Sequence, residues 1–112
     1  MTRVNKIKLI SFTETQDEIG QITSTESEAS LIAEIRSVSR SEFMEGRQDG
    51  LTPSFVFYVS RFAYSGQRVI EYGGERYSVY RTYEADDNIV ELYTEREVGL
   101  NVERSDPGGE QP

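Results

Sequence analysis

The chain has 112 residues and a mass of 12.8 kDa, enough for one domain, and its 12 Lys and Arg against 20 Asp and Glu leave a formal charge of −8. It contains neither Cys nor His, which excludes disulfides, Ser-His-Asp triads, Cys-His dyads and HExxH zinc sites within one chain. The acidic balance argues against a free-standing nucleic-acid binder and against docking on anionic lipid.

Apolar residues make up 36% of the chain, below the usual ~45–50%. A core this small fits a compact barrel, or a subunit completed by its neighbours. No apolar run approaches the ~20 residues of a membrane span. The start, Met1-Thr2-Arg3-Val4-Asn5-Lys6-Ile7-Lys8, is too polar for a signal peptide.

Alternation dominates, so most elements read as strands. Residues 4–12 put Ile7 and Leu9 on one face and Lys6 and Lys8 on the other. Residues 13–20 read as a polar connection ending at Gly20. Residues 21–30, rich in Thr, Ser and Glu, read as an exposed strand or a mobile ribbon. Residues 31–38 read as a strand, with Leu31, Ala33 and Ile35 on one face.

Ser39 and Glu42 then have capping-box spacing, which satisfies two orphan donors of a helix at once. The spacing predicts a short helix with Phe43 and Met44 facing inward, ended by Gly46 or Gly50. Residues 47–54 read as a loop broken by Gly50 and Pro53. Residues 55–64 read as a strand that is apolar on both faces at its start, expected to be buried by its own core and by a helix or partner chain.

Residues 67–72 and 75–84 flank Gly73-Gly74, a hairpin signal because a type I′ turn needs positive φ at both central residues. Ala85-Asp86-Asp87-Asn88 is the next turn, followed by a strand over 89–97, so that the last four strands read as a meander of hairpins. The fold class is therefore mainly β: a small antiparallel β-barrel of about six strands with one short α-helix between strands 2 and 3. It occupies residues 1–98, with a flexible tail over 99–112.

No catalytic residue, metal ligand or cofactor is expected. Asp86 and Asp87 lack the spaced oxygens of a calcium loop. Glu91 and Glu95 would need a sugar cleft that so short a chain does not build. Gly73-Gly74 has no following helix to cradle phosphate.

Ten of the twelve aromatics lie between Phe55 and Tyr93, and Arg outnumbers Lys 10 to 2. Tyr and Arg are enriched at interfaces. Phe55, Phe57, Tyr58, Arg61, Arg68 and Tyr80 are the candidate ring or partner interface. Aromatic strands with nearby Arg also suit a second reading, a small barrel binding a peptide or single-stranded nucleic acid. The acidic charge speaks against that reading.

The ordered set of segments resembles the phage head–tail adaptor family, the head-closure or stopper proteins of long-tailed bacteriophages. The resemblance is carried by Gln16-Asp17-Glu18-Ile19-Gly20-Gln21, by the strand ending Ala33-Glu34-Ile35-Arg36-Ser37-Val38-Ser39, and by Ser41-Glu42-Phe43-Met44-Glu45-Gly46. Its best segment is Arg68-Val69-Ile70-Glu71-Tyr72-Gly73-Gly74-Glu75-Arg76-Tyr77-Ser78-Val79. The connection over 61–68 lacks the Pro-Gly turn often seen there, and the tail has no clear counterpart.

The resemblance implies a structural virion protein, made in the bacterial host cytoplasm, with no membrane contact. By likeness, a ring of twelve copies sits below the portal or adaptor, closes the DNA channel and docks a tail-completion or tail-tube protein. Double-stranded DNA would pass through without sequence-specific binding. The channel-closing loop maps by resemblance to Gly46, Arg47, Gln48, Asp49, Gly50, Leu51, Thr52 and Pro53.

Overall fold

The structure, a computed structural model, describes residues 2–97. The expected tail lies outside the described residues. Six strands and one helix follow in the order β1 (Thr2–Gln16), β2 (Ile22–Ser37), α1 (Arg40–Gln48), β3 (Pro53–Ser60), β4 (Val69–Tyr72), β5 (Glu75–Glu84) and β6 (Ile89–Arg96). All pairings are antiparallel, and the strands close into a barrel in the order β1-β2-β3-β6-β5-β4. Closure removes the free sheet edges of the barrel itself, though not those of the outer part of the first hairpin. The seam is the pairing of Lys8, Leu9 and Ile10 with Glu71, Ile70 and Val69.

Mainly-β class, strand number and helix position agree with the sequence reading. The meander does not extend to β3: this strand pairs with β6, while β4 pairs with β1 and β5. The segment over 61–68 therefore carries the chain past two strands before it rejoins the sheet.

The first hairpin is also longer than the alternation suggested. Residues 13–16 remain strand, and residues 22–30 are paired strand along their whole length. Its turn is built by Asp17, whose Oδ1 accepts from the backbone N–H groups of Ile19 (3.1 Å) and Gln21 (2.8 Å). Gly20 supplies a positive φ of 88°, open to glycine without steric cost.

Inward-facing alternate residues make the core: Ile7, Leu9, Ala33, Ile35, Phe57, Val59, Ile70, Tyr77, Val79, Val90 and Leu92. Burying each large aliphatic or aromatic side chain is worth about 1.5–3 kcal/mol. Phe55, Phe57, Tyr72 and Tyr77 form an aromatic quartet, every pair of rings lying 5.6–6.4 Å apart. Thr94 is completely buried among these apolar residues. Its hydroxyl donates to the Phe55 carbonyl at 3.0 Å, which satisfies the donor.

Candidate functional surfaces

Helix α1 begins as its sequence predicts: Ser39 Oγ accepts from the Glu42 N–H at 3.1 Å. The reciprocal half of the capping box is not made. The Glu42 carboxylate instead turns to β5, accepting from the Tyr80 hydroxyl at 2.6 Å and from Arg81 at 2.5 Å. A bulge between Val79 and Arg81 aims these two neighbours at the helix. Burial first, and the hydrogen bond to Glu42 second, push the Tyr80 phenol far above its usual range. Burial works against the charge on Arg81, but the Glu42 contact outweighs it and raises the guanidinium.

The helix is turned opposite to expectation. Glu42 and buried Gly46 face the barrel, while Phe43 (39% exposed) and Met44 (55%) face solvent. Gly46 has no room for a side chain, because a Cβ there would overlap the Pro53 ring. An inward Phe or Met at this close approach of α1 to β3 would hold the two apart.

The expected channel-closing segment is thus part helix and part tight link. Gly46, Arg47 and Gln48 form the last turn of α1, Asp49 is the C-cap, and Pro53 opens β3. Leu51 donates to the Gly46 carbonyl at 2.8 Å, Thr52 donates to Glu95 Oε1 at 3.0 Å, and Gly50 takes a φ of 83°. Arg47, Gln48, Asp49 and Gly50 are exposed.

Of the expected interface residues, Phe57 lies wholly inside the barrel at 0% exposure. Phe55 belongs to the aromatic quartet. Both therefore build the core, and neither offers a free outer face. The double apolarity of β3 is absorbed within the chain, since outer-face Val56 is buried on the strand that α1 packs against.

Tyr58 does lie on the outer face, under the Arg36 guanidinium at 4.8 Å from its ring. A second such pair, Arg81 over Tyr93 at 3.9 Å, stands further round the barrel. Tyr93 donates to Glu91 at 2.7 Å, and burial with that bond pushes its phenol up to about 12. Arg36 also binds Glu34 at 2.7 Å. These stacked cations and capped acids form a preorganised Tyr–Arg–Glu face across β2, β3, β6 and β5. Arg61 stands 4.0 Å from Glu84. Arg68 and Tyr80 line one groove with Tyr64 and Arg81, but Tyr80 and Arg81 are committed to Glu42. That leaves the groove without the open cationic track a nucleic-acid strand needs.

The third surface is the outer part of the first hairpin. β1 pairs with β4 no further than Ile10, and β2 pairs with β3 only from Glu34 onward. Residues 11–16 and 22–27 therefore project as a two-stranded ribbon with both edges open, reaching about 20 Å. Its two faces differ, because successive side chains alternate. Ser11, Thr13 and Thr15 oppose Ser27, Thr25 and Thr23 on one face. Phe12, Glu14 and Gln16 oppose Glu26, Ser24 and Ile22 on the other. At its base the ribbon is tied to the barrel by Arg76 to Glu26 at 2.7 Å, and just below it Lys8 and Glu28 pair across the hairpin at 3.4 Å. The Arg76 hydrogen bond holds the Glu26 carboxyl below its usual value.

Among the described residues, no group of three or more Asp and Glu is placed to hold a metal ion, and no helix is long and apolar enough to cross a membrane. The fold is a closed barrel that carries a projecting ribbon and an exposed apolar pair on its helix. The chain belongs to the Phage head completion protein family, whose model matches residues 4–99. It is therefore a structural component of the phage head assembly. No curated protein matches it.

Proposed function

We propose that this chain forms a ring in the head–tail connector, below the portal or an adaptor, where it closes the DNA channel and receives the tail. The observation that carries this reading is family membership over almost the whole barrel, residues 4–99. The exposed ribbon and helix face support it, since each is a contact surface the lone chain leaves uncovered. Twelve copies is the proposed ring size. At −8 each they carry −96, and an acidic channel repels phosphate so that DNA slides without adhering.

The turn formed by Gly46, Arg47, Gln48, Asp49, Gly50, Leu51, Thr52 and Pro53 is the proposed channel-closing element. Its exposed tip, Arg47 to Gly50, is held by the packing of Gly46 on Pro53. The remaining outer residues Tyr58, Arg61, Arg68 and Tyr80 are proposed to lie at or near contacts with ring neighbours or with the tail.

A phage in which this gene is conditionally silenced tests the reading. The expected lysate contains packaged heads that lose their DNA and tails that remain unattached. Joined particles in normal yield would contradict the proposal.

A further inference from the structure

Helix α1 turns Glu42 and Gly46 toward the barrel and leaves Phe43 and Met44 exposed, beside exposed Ser41, Glu45 and Gln48. Arg40, Phe43, Met44 and Arg47 recur at i, i+3, i+4 and i+7, so they share one stripe about 100° wide. All four are exposed. Among the described residues, neither Arg40 nor Arg47 takes part in an ion pair. An apolar pair flanked by two unengaged cations is thus left without a partner.

The tip of the first hairpin carries the complementary pattern. Ile19 is 84% exposed and Ile22 63%. Around them stand Glu14, Asp17 and Glu18, and residues 11–28 contain no Lys or Arg. None of these three acids has an ion pair among the described residues. Two exposed isoleucines ringed by acids match two exposed apolar side chains flanked by arginines.

The two patches do not meet within one copy. They stand at opposite ends of the 16-residue β2, about 50 Å of extended chain, and α1 packs on β3 without touching the ribbon. The geometry points to a second copy: the hairpin tip of one chain seats on the outward face of α1 in the next. Ile19 and Ile22 cover Phe43 and Met44, while Glu14 and Glu18 approach Arg40 and Arg47. Arg47 sits where this contact meets the channel-closing turn. Such a contact joins two different patches, so it repeats from copy to copy and closes into a ring when the rotation allows. The inference rests on the ring reading above and deepens it by naming the surfaces that meet.

The absence of Cys makes the test direct. In particles assembled with the double variant Ile19→Cys, Met44→Cys, oxidation is expected to give a ladder at multiples of 12.8 kDa. In particles assembled from the two single variants mixed, it is expected to stop at dimers. Dimers from Ile19→Cys alone would overturn the proposal in favour of a symmetric tip-to-tip contact. A link from Ile19→Cys to a different virion protein would overturn it too. So would the absence of a ladder in particles whose neck still shows a ring of this chain, and that outcome leaves the ring reading standing. No ring at all in wild-type particles removes the reading beneath it and the proposal together. Charge reversal gives a second route: Arg40→Glu with Arg47→Glu is expected to cut incorporation at least tenfold. Adding Glu14→Lys and Glu18→Lys is expected to restore it, and failure of that rescue overturns the contact.

Discussion

Glu42 decides how the helix meets the barrel. Its backbone N–H is capped by Ser39, and its carboxylate joins Tyr80 and Arg81. Hydrogen bonds to a charged group are worth more than neutral ones. Glu42→Gln keeps the shape and removes the charge, so it is expected to cost about 1–2 kcal/mol in urea unfolding. The same change should bring the Tyr80 phenol part of the way down in an ultraviolet titration, since burial remains when the acid is gone. An unchanged titration would show that Glu42 does not hold this hydroxyl. The raised phenols also make the fold sensitive to alkali. Tyr80 and Tyr93 keep their protons to higher pH when folded than when unfolded. Their contribution is whole below pH about 10, the unfolded value, and is lost as pH rises through the folded values. Stability is expected to fall across this alkaline window and to change little from these groups below it. The residue pattern showed that Glu42 sits at a helix start. It did not show where the side chain goes, because the bulge that presents Tyr80 and Arg81 is a property of strand register.

At the scale of elements, α1 and the first hairpin depart most from the sequence pattern. Phe43 and Met44 read as inward because a helix ordinarily buries its apolar stripe. Here the close approach of Gly46 to Pro53 rotates that stripe outward. Gly→Ala inside a helix normally gains about 1 kcal/mol, whereas forcing extra atoms into a packed contact costs about 1–3 kcal/mol. Gly46→Ala is therefore expected to destabilise by up to about 2 kcal/mol in chemical denaturation. A stabilised variant would mean that α1 is free to shift away from β3. The hairpin was partly legible: Ile7 and Leu9 alternate into the core, but residues 22–30 offer few apolar anchors, and Ile22 is exposed. What keeps them in strand is the continuous pairing with β1. That pairing leaves no trace in hydrophobic periodicity.

At the scale of the molecule, the core and the contact surfaces are separated. The barrel forms a core by itself around Phe57, with Phe55 packed against it, two residues the sequence had suggested for an interface. The small apolar content is therefore sufficient for closure. Exposed large apolar side chains include Phe12, Ile19 and Ile22 on the first hairpin and Phe43 and Met44 on α1, with Val4, Ile32, Phe62 and Tyr83 elsewhere on the barrel. The double apolarity of β3 pointed to a partner, but the partner of that strand is the chain's own helix. What the composition did foreshadow is an acidic, Arg- and Tyr-rich surface, and the family assignment gives that surface a place in the phage head assembly. The central claim, that the chain is a ring at the head–tail junction, is tested most directly by reconstructing the neck of intact particles by electron microscopy. The account predicts a ring of this barrel between portal and tail, with residues 46–53 bordering the channel. Density for the chain only within the head shell, or as isolated copies without a ring, would contradict it.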